Sequence, residues 1–392
     1  MERWKTCILT GSLSLSLLCS GPFSAVPASA DPVEVTEQVG QLHFNQIQYI
    51  GTHNSYHIAP WPELGWLAIE RGYSQSEEWS ARRLMYAVDF THPRLTEQLD
   101  LGLRQFELDV HADPAGGKFA NPGHLAVLRA TSAGAFDDFD PDERLSVPGF
   151  KVFHGGLDMR SRCLLLQDCL QELKRWSDAH PRHFPIVIHI EAKDGADPSL
   201  DSSYTYPAEA PFGLPEWAAL ESEIVMALGR DSIVTPAEVQ GGAETLAEAI
   251  DRNGWPLLDQ MAGRFVILLL NKREQTLSYL SVEQRLPHRI FFPSRTVGSD
   301  AAAWFRIPDP AFPELRRLIQ QDRLVTVQAD THTEQARTNT LSRRDSAFAS
   351  GAQFILTDFP VRDQRFTDYQ VQFPNGGYVR CNPRTYRSPC PF

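Results

Sequence analysis

The chain has no run of about 18 or more apolar residues, the length a membrane-crossing helix needs. It has no excess of positive charge. Across 392 residues, 37 Lys and Arg stand against 49 Asp and Glu, a formal charge of −12. That balance excludes a non-specific nucleic-acid binder, which needs a basic footprint to displace counterions from phosphates. Cysteine is scarce at six residues, and no C-x2-C pair occurs, so no zinc site is implied. Internal repeats, low-complexity tracts, Ser- or Gly-rich linkers and EF-hand loops are all missing. What is there is ordinary: 42% apolar and 22% charged residues, with 25 Gly and 28 Pro. This composition sets aside a disordered, collagen-like or coiled-coil chain.

The N-terminus reads as a secretory signal over residues 1–30. Arg3 and Lys5 form a basic start, an apolar and small-residue run follows from about Cys7 to Cys19, and Ala28-Ser29-Ala30 supplies a cleavage pattern before Asp31. The expected location is secreted, extracellular or periplasmic. Removal of the segment leaves 362 residues with a charge of −13 and four cysteines. An even number in an exported chain predicts disulfides, and four cysteines allow three pairings. Nearness in sequence favours Cys163 with Cys169 and Cys381 with Cys390, the second tying down a C-terminal tail.

Strand-like runs recur at 46–51, 104–110, 150–153, 186–191, 265–270, 289–292, 324–328 and 354–357. Several are continuously apolar, as parallel strands covered on both faces are. Amphipathic helical stretches lie between them, at 164–180, at 216–228 ending on Gly229, and at 334–350 ending on Gly351. Alternation of strand and helix predicts a parallel α/β fold. The mature length suits two domains or one α/β barrel with insertions. Two long connections, 111–149 and 194–215, each follow a strand that carries acidic residues.

Polar residues gather where these strands end. The first opens into Thr52-His53-Asn54-Ser55-Tyr56, the second reads Phe106-Glu107-Leu108-Asp109-Val110, the third Val152-Phe153-His154-Gly155, and the fourth His189-Ile190-Glu191-Ala192-Lys193. In a parallel barrel such ends open on one face. Alternate residues of a strand share a side, so Glu107 and Asp109 point together, opposite Phe106, Leu108 and Val110. His189 and Glu191 likewise point together. With the apolar sets against the helices, the carboxylates face the mouth. Converging carboxylates repel one another and need a cation. Asn54, Glu107, Asp109 and Glu191 offer only oxygen, which suits Ca2+ or Mg2+, and Ca2+ better because it accepts irregular geometry.

Two histidines beside such a cation fit phosphodiester cleavage. Charge spreads over the phosphate oxygens in the transition state, the attacking hydroxyl loses a proton and the leaving oxygen gains one. His53-Asn54-Ser55-Tyr56, Glu107-Leu108-Asp109, Val152-Phe153-His154-Gly155 and Ile190-Glu191 resemble the successive motifs of the calcium-dependent phosphoinositide-specific phospholipase C barrel, and the chain looks most like its small secreted bacterial and fungal branch. The resemblance is strongest over 46–194, and the stretch from Ala329-Asp330 to Thr357-Asp358 shares it.

The resemblance implies one TIM-type (β/α)8 barrel, regular or irregular, over 31–392, with long strand-to-helix loops. It implies that His53 donates to the phosphate, that Asn54, Glu107, Asp109 and Glu191 hold Ca2+, that His154 is the general acid, and that a metal-site carboxylate such as Glu107 is the base. The inositol 2-hydroxyl would attack phosphorus, giving diacylglycerol and a cyclic inositol phosphate from a phospholipid at a membrane surface. A chain of this length has no room for the accessory modules of the mammalian enzymes. Their basic residues for ring phosphates are not clearly matched, which leaves plain phosphatidylinositol or a related diester open. Lys193 could meet a phosphate, and Lys272 more weakly.

A glycerophosphodiester phosphodiesterase is the nearest alternative, but it begins with His-Arg-Gly and carries Glu-Asn-Thr, neither of which fits here. A sphingomyelin-cleaving relative is more distant. A non-catalytic lipid- or sugar-binding barrel is the alternative from another class. The residues read as supporting ones are His57 and His111 near the site, His189 as a hydrogen-bonded interior group, and Asp330 and Asp358 as orienting groups or helix caps. Trp61, Trp66 and Trp79 form either a lipid-facing rim or packed core.

Overall fold

The computed structural model describes residues 34–74, 76–131, 138–194, 207, 211–271, 273–280, 289–294 and 299–391. The segment 1–30, Lys272 and most of the 194–215 connection lie outside the described residues.

Among the described residues eleven strands follow in chain order: β1 (Ile47–Thr52), β2 (Gln105–His111), β3 (Lys151–Val152), β4 (Ile186–Lys193), β5 (Ile233–Val234), β6 (Phe265–Leu269), β7 (Phe291–Pro293), β8 (Trp304–Arg306), β9 (Leu324–Gln328), β10 (Phe354–Thr357) and β11 (Val379–Cys381). One parallel ladder runs β2–β4–β6, with β5 on the start and β7 on the end of β6, and with Asp109 opposite Glu191 and Glu107 opposite His189. A second runs β8–β9–β10–β1. A single parallel bridge from Ser294 to Trp304 joins the two. Among the described residues the result is an irregular eight-stranded α/β barrel, with a seam between β1 and β2 where no ladder joins them.

That seam is filled by two antiparallel pieces. A strand has two hydrogen-bonding edges. The edge that β1 turns toward β2 pairs with β11 at Ile47–Tyr49, and the edge that β2 turns toward β1 pairs with β3 at Val110 and His111. The C-terminal tail therefore plugs the seam at the strand starts, and β3 closes it at the mouth. Gly51 lets the two strands touch between these plugs, since a Cβ there would lie 2.4 Å from Cβ of Gln105. Both expected disulfides are present, with Cα–Cα separations of 5.4 Å for Cys163–Cys169 and 5.7 Å for Cys381–Cys390.

Side-chain parity works as the alternation requires. Phe106, Leu108, Val110, Ile188, Ile190, Ile267, Val325 and Ile355 point outward into one buried layer shared with Leu170, Leu173 and Trp217 of the surrounding helices. Tyr49, Val187, Val266, Leu268, Phe292, Trp304, Leu324 and Phe354 fill the barrel floor. Above them the interior becomes polar, with Gln105, His189 and Thr326, and then ionisable at the mouth.

Three expectations are corrected. The run 150–153 is not a barrel strand: only Lys151 and Val152 are extended, and they run antiparallel to β2. The eighth barrel strand is β8, whose three residues are too few to show a pattern. The helix expected over 334–350 is two helices, Glu334–Thr338 and Ser342–Ser350, because Asn339 caps the first in a left-handed conformation at φ 54°. The 111–149 connection is also partly ordered, holding the helix Gly123–Thr131 and the short turn Arg144–Ser146.

Candidate active site

The mouth is assembled from strand ends. The turn that leaves β1 is locked to β2: the Ser55 N–H donates to the Glu107 carbonyl at 2.9 Å, and the Glu107 N–H donates to Oγ of Ser55 at 2.8 Å. His53 and Asn54 are thereby held beside Glu107. Asn54 is buried and sits in the left-handed region at φ 45°, which Asn tolerates better than most residues.

Nδ1 of His53 lies 2.8 Å from Asp358, and Nε2 lies 4.0 Å from Glu107. Burial works against protonation of this ring, but the charges of Asp358 and Glu107 outweigh it and raise its pKa to about 9. The imidazole is cationic at neutral pH. Asp358 is set in turn by Asp330, which accepts its backbone N–H at 2.9 Å and also takes the Thr357 hydroxyl. Asp358 is thus an orienting group, one of the two readings its position allowed.

Oxygen atoms of Glu107, Asp109 and Glu191 come within 4.8 Å of one another. Glu107 is fully buried, and neither of its carboxylate oxygens has a hydrogen-bond partner. Burial raises its pKa to about 7, with His53 and Arg306 pulling it back. Unpaired buried carboxylate oxygens beside two further carboxylates fit a hard divalent cation. Asn54, buried at the adjoining turn, carries an uncharged side-chain oxygen.

Lys193 lies among these groups, its Nζ 2.9 Å from Asp109 and 3.2 Å from Glu191. Burial would raise the Glu191 carboxyl, but the Lys193 and Arg306 charges hold it down at about 2. The lysine expected to meet a substrate phosphate is therefore engaged by two of the acidic residues.

The reversal of β3 brings His154 back to the mouth. The segment after it pairs with the turn after β1, through a bridge between His57 and Ser161 and the Arg162 N–H on the Tyr56 carbonyl at 2.7 Å. Nδ1 of His154 lies 2.9 Å from Asp158. His57 meets the same carboxylate with Nε2 at 2.8 Å, while its Nδ1 contacts the Phe90 carbonyl at 3.0 Å. Burial opposes the His154 charge, but the hydrogen bond to Asp158 prevails and raises its pKa.

Sequence reading missed Asp158, Arg306 and His92. Asp158 carries a faint signal, an acid four residues after His154 across a Gly-Gly turn. Arg306 ends a strand with the parity of inward Trp304, and its charge acts on His53, Glu107 and Glu191. His92 meets the His53 carbonyl at 2.9 Å. The supporting residues sit as expected: His189 contacts Thr326 at 3.2 Å in the interior, and His111 stacks on Phe153 at 3.8 Å. Of the three tryptophans, Trp61 is buried under Arg160 and Trp79 is half-buried against His332, while Trp66 is 65% exposed.

A cationic imidazole, a second imidazole backed by a carboxylate, and an oxygen-lined cation site face one another across a barrel mouth. Charge of this arrangement suits an anionic ester that must be cut at phosphorus. The class so defined is a metal-assisted phosphoric diester hydrolase on an α/β barrel. The family model described as "Phosphoinositide phospholipase C, Ca2+-dependent" matches residues 42–383, and the chain belongs to that family. It is a Ca2+-dependent enzyme of the phosphoinositide phospholipase C type.

Among solved structures, the chain is similar to a calcium-dependent phosphoinositol-specific phospholipase C from Pseudomonas sp. in a myo-inositol complex. Identity is 15%, 90% of this chain and 100% of that one are covered, and the TM-score is 0.52. A Ca2+-dependent phosphatidylinositol-specific phospholipase C from Streptomyces antibioticus is 18% identical, over 81% of this chain and 94% of that one, with a TM-score of 0.47. The first likeness is one of fold. No curated protein sequence matches the chain. Among the described residues, no helix is long and apolar enough to cross a membrane.

Proposed function

We propose that the chain cleaves phosphatidylinositol-type phospholipids by attack of the inositol 2-hydroxyl on phosphorus, with His53, His154 and Glu107 as the catalytic residues. The observation that carries this reading is the convergence of Glu107, Asp109 and Glu191 within one ion's reach, between two carboxylate-bound histidines. Asn54, Glu107, Asp109 and Glu191 hold Ca2+, which when bound withdraws charge from the phosphate and from the attacking hydroxyl.

His53, kept cationic by Asp358, donates to a phosphate oxygen. Glu107 takes the proton of the 2-hydroxyl. The new O–P bond closes a five-membered ring, and the bond from phosphorus to the diacylglycerol oxygen breaks. With Nδ1 of His154 held by Asp158, its Nε2 gives that oxygen a proton. The products are diacylglycerol and a cyclic inositol phosphate, which water opens in a second step. Because nucleophile and phosphorus belong to one molecule, proximity supplies much of the rate. Arg306 meets the phosphate or a ring hydroxyl, as does Lys193 once released from its carboxylates.

The exposed Trp66, on the helix Pro62–Glu70 that follows the His53 turn, is suited to the lipid interface. Two disulfides and the N-terminal signal-like segment support export, with Asp31 as the first mature residue. Mass spectrometry of the protein from culture medium or periplasm tests this, and an intact residue 1–30 segment there would refute it. The central test is a panel of phospholipids assayed with Ca2+, with Mg2+ and with chelator. Phosphorus NMR should show a cyclic inositol phosphate with Ca2+ alone. Release of glycerol phosphate or phosphocholine instead would overturn the substrate assignment.

A further inference from the structure

The acidic site already contains a cation of its own. Lys193 follows Glu191 by two residues on β4, so both side chains point inward. Asp109, on the neighbouring strand, stands opposite Glu191 in the ladder. The ammonium spans the two carboxylates at 2.9 and 3.2 Å and is only 22% exposed. Glu107, one step deeper on β2, has no hydrogen bond on either carboxylate oxygen and faces the His53 ring at 4.0 Å.

We propose that the Lys193 ammonium is the resident counter-cation of this site, and that Ca2+ binds by displacing it. The inference rests on the Ca2+ site proposed above. Ca2+ sits about 2.3–2.6 Å from its oxygens and takes their lone pairs. The ammonium uses oxygens of the same two carboxylates, and two cations crowded against them repel. Binding is therefore an exchange. The tether keeps the competitor at a high effective concentration, so Lys193 sets how much free Ca2+ the enzyme needs. In the metal-free protein the same ammonium offsets the repulsion between Asp109 and Glu191, so it also stabilises the empty site.

The test is calorimetric titration of Ca2+ into wild type, K193M, K193Q and K193R, with thermal unfolding of each metal-free protein. K193M and K193Q should bind Ca2+ at least about tenfold more tightly than wild type and melt lower when metal-free. K193R keeps the charge and should stay close to the wild-type affinity. Independently of any variant, Ca2+ should raise the rate at which acetic anhydride labels Lys193 in the wild type, read by mass spectrometry. Unchanged or weaker Ca2+ binding by folded K193M or K193Q, or labelling that ignores Ca2+, overturns the exchange. A wild type that takes up Ca2+ while the variants do not differ removes this inference alone. A wild type that takes up none removes the Ca2+ site with it.

Discussion

Asp158 holds His154 at 2.9 Å and, through its other contacts, His57 at 2.8 Å, so one buried carboxylate serves two imidazoles. Burial would raise the Asp158 carboxyl, but the His57 charge and the hydrogen bond from His154 keep it low, at about 2. It is an anion throughout the neutral range and favours the protonated form of His154. D158N removes that charge, so the His154 pKa falls. A general acid must carry its proton, so the alkaline limb of the kcat–pH profile should move to lower pH. H154A removes the acid outright and should cost about 10²–10⁴ in kcat. D158N should lose less, and its loss should shrink as the pH is lowered. An unchanged profile for D158N would show that Asp158 does not act through His154.

Removal of a single charged oxygen ligand weakens a Ca2+ site without emptying it. E191Q and D109N should each raise the Kd for Ca2+ by at least about tenfold. E107Q should do the same and also lose the base, so saturating Ca2+ should restore activity to E191Q but not to E107Q. Steady-state rates against free Ca2+ separate the two. Full recovery of E107Q at high Ca2+ would assign the base to another group.

Much of this is legible in the amino-acid sequence. Strands β4, β6, β9 and β10 show as apolar runs because helices or barrel interior cover both of their faces. The three carboxylates that meet at the mouth are legible by parity along β2 and β4, which needs no knowledge of neighbours. The direction of β3 was not legible, since two extended residues read alike in either sense. Nor was β8, where Trp304 and Arg306 share one side but no alternation is long enough to show it. The pairing of His53 with Asp358 joins the first barrel strand to the residue after the last. Only closure of the ring brings those two together. The same holds for His57 and Asp158, which meet because β3 folds back over the β1 turn.

The tail strand offers a test of the seam. Cys381 ends β11 and is bridged to Cys390, while Val379 packs into the barrel floor beside Tyr49. A disulfide across so short a loop stabilises by about 2–3 kcal/mol. C381S/C390S should therefore lower unfolding stability by that order in urea titrations. Hydrogen exchange should rise first at the Ile50 amide, which donates to the Tyr378 carbonyl at 2.8 Å on the edge the tail covers, and not at the Tyr49 amide, which donates to Gln353 on the β10 side. Faster exchange spread evenly over the barrel would mean that the tail has no special hold on β1.

Acid should weaken the fold through histidines that are buried neutral. His183 precedes β4, is almost fully buried, and contacts the Ser177 hydroxyl at 2.7 Å and the Phe184 carbonyl at 2.6 Å. Burial lowers its pKa to about 4, against about 6.5 in an unfolded chain. Above pH 6.5 both states are neutral at this site and it costs nothing. As pH falls from 6.5 toward 4 the unfolded chain takes up the proton and the folded one does not, so stability declines. Between pH 7 and pH 5 this one group should remove about 2 kcal/mol. His124, lowered to about 4 by burial, acts in the same direction. Urea unfolding of wild type and H183N across that range isolates the effect, because the variant should show a correspondingly shallower decline whatever its stability at pH 7. Parallel declines in the two proteins would mean that His183 is protonated in the folded state.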